Sequence, residues 1–146
     1  MELSNIKYSD ICYHSLNGLK TSGKVVRVYD GDTCSIVFYN ESKLVKYRCR
    51  LMGINCPEIK CVDNETKEKG INARNYLISL VTDCKIDENI KSKKEIQKIL
   101  DTNKKLIEIE CFNFDKYGRL LVNIYCSENK CINEQILLNG HAIKYK

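Results

Sequence analysis

Arg50-Leu51-Met52-Gly53-Ile54-Asn55-Cys56-Pro57-Glu58 takes an arginine off a run of extended chain, continues through an apolar tetrapeptide and delivers a carboxylate past a rigid turn. Proline fixes its own φ and drives the preceding residue out of the helical region, so the backbone turns at Cys56 and Glu58 leaves that turn at a defined place. Taken alone, the stretch is an ordinary strand end carrying two surface charges. Its neighbours give it meaning. Immediately before it, Val45-Lys46-Tyr47-Arg48-Cys49-Arg50-Leu51 reads as a strand whose period of two puts Arg48, Arg50 and Met52 on one face. Further back, Val25 to Tyr29 and Thr33 to Phe38 are β-branched and aromatic runs broken by Asp30-Gly31-Asp32, the pattern of a hairpin whose glycine supplies positive φ. Asp32 exceeds the needs of that turn. It opens a strand, where aspartate is disfavoured, and a metal or phosphate role competes for it.

On the C-terminal side, Ala73, Leu77, Leu80 and Val81 form one apolar stripe of a helix running from about Glu65 to Val81. Residues 83–103 form a lysine-rich insertion in which Ser92 and Glu95 have the spacing of a capping box and predict a small surface helix. Ile107, Ile109 and Cys111 alternate with Glu108 and Glu110 along a half-buried strand. Asp115-Lys116-Tyr117-Gly118-Arg119 then spans a turn into the strand Leu120 to Cys126, with Gly118 as its flexible position. Ile132, Ile136 and Leu137 close the chain with a helix ended by Asn139-Gly140. Hairpin, third strand, helix, hairpin, helix predicts an α+β, mainly β, fold: a five-stranded OB-type Greek-key barrel with packing helices. It occupies residues 24–146, behind an irregular lead-in at 1–23.

With 146 residues, 43% of them hydrophobic, the chain suits one domain with a sizeable core. A net charge of +5 only weakly favours polyanionic partners. Arginine usage says more: the chain has nineteen lysines and five arginines, so an arginine is an infrequent choice where lysine serves any generic positive surface. The nine cysteines are odd in number, lack CxxC spacing and sit mostly in apolar runs, where a thiol packs as a small hydrophobe. Neither they nor His14 have the spacing of a structural zinc site. The N-terminus lacks a leader pattern and no segment approaches the length of a membrane span, so the expectation is an intracellular, cytoplasmic, reducing location and, by default, a monomer.

The motifs Asp30-Gly31-Asp32-Thr33, Arg50 to Glu58 and Asp115 to Arg119, in this order on these elements, resemble the staphylococcal nuclease (thermonuclease) family over roughly residues 24–142. The resemblance implies metal-dependent hydrolysis of single-stranded DNA or RNA, leaving 3′-phosphates. On that reading Arg50 and Arg119 grip phosphate, Glu58 orients or deprotonates the attacking water, and Lys116 and Tyr117 contact a substrate phosphate. Asp32, Asn55 and Cys56 fall at the positions of the Ca²⁺ site. Asn55 stands where the family usually has aspartate, and Cys56 where it usually has threonine. The lost carboxylate predicts a weak metal site, since charge count helps to set Ca²⁺ affinity. The family's late base-stacking tyrosine falls at or beyond the chain end, leaving Tyr145 as the nearby substitute. The alternative is a catalytically weakened OB module that binds single strands or a protein partner.

Overall fold

The structure is a computed structural model that describes residues 2–84, 92–126 and 129–145. After two short 3-10 turns come β1 (Lys20–Asp30), β2 (Thr33–Asn40), β3 (Lys43–Leu51), β4 (Ile54–Asn55), α1 (Asn64–Val81) and α2 (Lys93–Thr102). β5 (Ile107–Phe114), β6 (Leu120–Tyr125), α3 (Ile132–Leu138) and β7 (Ile143–Lys144) complete the chain. Five strands close into a barrel in the order β1-β2-β3-β6-β5, as the pattern of turns and alternation predicts. All neighbours are antiparallel except β3 and β6, which run parallel with Cys49 opposite Leu120 and Arg50 opposite Leu121. Alternation sends Ile36, Cys49, Leu51, Ile109, Val122 and Ile124 into the barrel, all essentially inaccessible to water.

α1 packs across this core with Ala73, Leu77, Ile78 and Val81 buried. Its start is set by Asp63, whose side chain accepts from the Thr66 N–H at 3.3 Å. α2 buries Ile96 and Leu100 and is pinned to β1 by Gln97, which donates to the Val26 carbonyl at 2.9 Å. On α3, Asn133 is buried and shares its amide between the carbonyls of Met52 at 2.9 Å and Val122 at 3.1 Å. One side chain thus ties the last helix to the turn that follows Arg50.

Several local expectations change. β1 begins at Lys20, ahead of the β-branched run, because residues 20–23 pair with β5. Ser92 is the N-cap residue of α2 but makes no side-chain cap bond, so the predicted capping box does not form. Residues 85–91 of the lysine-rich insertion lie outside the described residues. Gly31 is not among the positive-φ glycines. It is needed for close approach instead: a Cβ there would meet the Ala73 Cβ at 2.7 Å and the Cys56 Sγ at 2.8 Å. Gly118 does adopt positive φ, at 83°. The two-stranded β4–β7 sheet is an addition that local pattern does not foreshadow.

Candidate functional site

Asp32 and Arg50 meet because β2 and β3 pair in a register that sets Thr33 opposite Arg50. The Leu51 N–H also donates to the Asp32 carbonyl at 2.8 Å, fixing the aspartate against the end of β3. Asp32 is 4% exposed. Its Oδ1 accepts from the Thr33 hydroxyl at 2.9 Å, and its Oδ2 accepts from the Cys56 N–H at 2.8 Å and Arg50 Nη1 at 3.2 Å. A buried carboxylate is tolerated here because it is surrounded by donors and one full positive charge.

The other arm of the Arg50 fork, Nη2, donates to the Ile54 carbonyl at 3.1 Å and reaches the Asn55 Oδ1 at 3.4 Å. The guanidinium also lies over the Tyr145 ring, 4.9 Å from its centroid. Tyr145 is held there by its N–H donating to the Gly53 carbonyl at 2.9 Å, beside the β4–β7 ladder. Arg50 is therefore oriented from three sides: a carboxylate, a main-chain carbonyl and an aromatic face.

Glu58 follows the proline turn, is exposed and makes no ion pair among the described residues. Its backbone is held from both sides. The Ile59 N–H donates to Asp30 Oδ1 at 3.3 Å, and Gly70 of α1 comes so close that a Cβ would stand 2.9 Å from the Pro57 oxygen and 3.0 Å from the Glu58 carbonyl carbon. Asp30 is the residue that sequence reasoning missed, because a tight turn already accounted for it. Burial, chiefly, raises its carboxyl above the ordinary carboxylate range; the Ile59 N–H opposes this and the charges of Asp32 and Glu58 add to it. Asp30 thus lies within electrostatic reach of both Asp32 and Glu58.

Arg119 comes in on the neighbouring strand, one residue before Leu120, which pairs with Cys49. Asp115 clamps it: Oδ1 accepts from the N–H groups of Tyr117 and Arg119, both at 2.9 Å, and Oδ2 accepts from Arg119 Nε at 2.8 Å. Burial works against the Asp115 anion, but these donors and the guanidinium hold its carboxyl below the usual range. Tyr117 is 72% exposed, with Lys116 Nζ 5.2 Å and Arg119 Cζ 5.4 Å from its ring centroid. Asp32, Arg50, Asn55 and Cys56 thus form one hydrogen-bonded group, while on the adjoining hairpin Asp115 holds Tyr117 and Arg119, and Lys116 lies over the Tyr117 ring.

The donor set for a hard cation is the carboxylate of Asp32 and the amide oxygen of Asn55. Cys56 does not add its thiol, since the sulfur is buried against Gly31 and Ala73, and burial pushes it up to about 12. Among the described residues no three acidic, histidine or cysteine side chains cluster as a metal cage. The oxygens suit Ca²⁺ in kind, but a single carboxylate, already facing Arg50, supplies little charge.

Residues 48–146 match the staphylococcal nuclease homologue family. That span contains Arg50, Asn55, Cys56, Glu58, Lys116, Tyr117 and Arg119, whereas Asp32 lies before it. The chain is 32% identical over 101 residues to a probable staphylococcal-like nuclease, CAN3, of Oryza sativa subsp. japonica, covering 69% of this chain and 19% of that protein. It is 31% identical over 101 residues to a second, CAN2, of the same organism, covering 69% of this chain and 20% of that protein. The chain spans about a fifth of the length of these curated relatives. No helix among the described residues is long and apolar enough to cross a membrane. With the family match covering more than half of the sequence, on a barrel of the predicted architecture, the chain belongs to the staphylococcal nuclease homologue family.

Proposed function

We propose that this chain is a metal-dependent nuclease domain that hydrolyses phosphodiester bonds of single-stranded DNA or RNA and leaves 3′-phosphates. The observation that carries the reading is the oriented Arg50, held against Asp32 and the Ile54 carbonyl, together with an exposed Glu58 on a turn that Gly70 and Asp30 hold, which has no ion-pair partner among the described residues. A pure binding surface has no need of an unpaired carboxylate presented on a turn held from both sides.

In this reading Arg50 and Arg119 donate to the nonbridging oxygens of the scissile phosphate, where charge accumulates in the transition state. Glu58 accepts a proton from a water whose oxygen attacks phosphorus. The bond from phosphorus to the 5′-oxygen breaks, that oxygen leaves with the electron pair and takes up a proton, and the phosphate stays on the 3′ side. Lys116 and Tyr117 hold a flanking phosphate. The side-chain oxygens of Asp32 and Asn55 would hold Ca²⁺, which when bound supplies Lewis-acid stabilisation of the same phosphate charge.

Cleavage of single-stranded DNA and RNA over a wide Ca²⁺ range, with chelator as control, tests this. Wild type cleaves and chelator stops it. Glu58→Gln and Arg119→Ala each lower turnover by about 10²- to 10⁴-fold with the fold intact by circular dichroism. If wild type binds single strands but does not cleave at millimolar Ca²⁺, the binding-module reading replaces this one.

A further inference from the structure

One residue past Glu58 the chain enters the wall of a second cleft, of about 670 Å³, that none of the three sequence motifs uses. Ile59 and Lys60 form one side, Lys67, Ile71 and Arg74 of α1 the other, and Lys93, the first residue of α2, closes it. Cys61 and Val62 complete the lining, so four of the eight residues are cations, and no carboxylate lines the cleft among the described residues.

Arg74 is the unusual member. It is 5% exposed, and its Nε and Nη2 both donate to one neutral acceptor, the Asn75 Oδ1, at 3.2 and 3.1 Å. No carboxylate pairs with it among the described residues. Asn75 in turn keeps its Nδ2 buried without an acceptor. The pair is therefore rich in donors and short of hydrogen-bond acceptors, and the Asp30 carboxylate, which acts on Arg74 through its charge without a direct ion pair among the described residues, offsets the cost of its burial only in part. Exposed lysine is the generic cation of this chain, so a buried arginine here marks a planar, multidentate contact rather than a solvated charge.

The opposite end adds to the deficit. α2 has ten residues, and its N-cap Ser92 makes no side-chain cap among the described residues, so the positive end of the helix dipole stands beside Lys93. An acceptor-rich anion satisfies Arg74, the lysines and the helix end together, while the half-buried Ile59 and Ile71 present apolar surface suited to a sugar or base. The cleft wall is tied to the turn before β2, because Asp30 Oδ1 accepts from the N–H of Ile59.

We propose that this cleft is a second phosphate subsite, which takes a backbone phosphate of the same single strand at least one nucleotide away from the phosphate gripped by Arg50 and Arg119. This rests on the nuclease reading for the identity of the strand. It predicts that affinity grows with strand length until the cleft is filled.

The test measures binding of thymidine oligonucleotides of two to ten nucleotides in chelator, where strands stay intact, for wild type, Arg74→Gln and the double variant Lys67→Gln/Lys93→Gln. Both lysines are exposed, so the double variant reports on the cleft even if Arg74→Gln unfolds. Expected is a weakening of about tenfold for the ten-nucleotide strand against less than about threefold for the dinucleotide. The salt dependence should become shallower by about 0.7 for each cation removed. Equal weakening at both lengths, or none, overturns the proposal. In a second arm inorganic phosphate raises the melting temperature of wild type; if Arg74→Gln abolishes that rise while the length dependence is unchanged, the cleft holds free phosphate and the strand assignment is overturned. Cleavage in Ca²⁺ is followed separately. If wild type never cleaves, the nuclease reading falls, and the binding ladder still decides the subsite.

Discussion

On the proposed reading, Asn55 would set how much negative charge faces a divalent ion at the end of β3. Its amide oxygen and the Asp32 carboxylate both contact the Arg50 guanidinium, at 3.4 and 3.2 Å, so the arginine is the cation these oxygens already serve. Asn55→Asp adds a charged ligand in place of a dipole, and apparent Ca²⁺ affinity should rise by about one to two orders of magnitude. Turnover at saturating Ca²⁺ should change less. The metal-free cost of two neighbouring carboxylates is moderated because Arg50 lies between them. Calorimetric titration of both proteins, with cleavage rates alongside, checks this, and equal Ca²⁺ affinities would count against Asn55 as a ligand. Arg50 and Glu58 are legible from sequence because proline makes the turn and arginine is scarce. Asp30 and Arg74 are not: a turn explains the first, and the second occupies a helix position that a hydrophobic stripe leaves to solvent, although the structure buries it.

α1 acts on the site as an element through Gly70, which lets the helix touch the backbone that carries Glu58. A Cβ at that position would come within 2.9 to 3.0 Å of the Pro57 oxygen, the Glu58 carbonyl carbon and the Ile59 nitrogen, and none of these is a flexible side-chain tip. Alanine is the better helix former by roughly 1 kcal/mol, so an unconstrained helix gains from Gly70→Ala. Here overpacking should outweigh that gain, for a net loss of about 1–2 kcal/mol in denaturant melts. Displacing Glu58 should also lower turnover by about tenfold or more, since reacting groups tolerate little misplacement. A more stable and fully active Gly70→Ala would show that α1 does not position Glu58. The strands and α1 are readable from alternation and the helical stripe, which are local signals. The β4–β7 pairing is not, because two-residue strands have no period and their partners lie some ninety positions apart.

At the scale of the whole molecule, closure is the feature that local pattern cannot supply. The hairpins follow from turns, but the parallel β3–β6 pair and the β1–β5 seam join distant segments. The cysteines give a direct test of that closure. Cys34, Cys49, Cys56 and Cys111 are buried, whereas Cys12, Cys61 and Cys84 are exposed. Burial raises all four of the buried thiols: Cys34 and Cys56 to about 12, Cys111 to about 11, and Cys49 in the same direction. Alkylation needs both access and thiolate, and a closed barrel withholds each until the strands part. Alkylation at neutral pH, followed by peptide mass mapping, should therefore label Cys12, Cys61 and Cys84 promptly and slow the four buried positions by about 10³-fold or more. Denaturant should bring all four up together, with a midpoint matching loss of β-structure, because Cys34, Cys49 and Cys111 lie on three strands of one barrel and Cys56 packs over Gly31 beside it. Early labelling of Cys111 alone would place a weak seam at β5, and early labelling of Cys56 alone would show that the Glu58 turn opens without the barrel. Simultaneous release would tie the stability of the Glu58 turn to that of the whole fold.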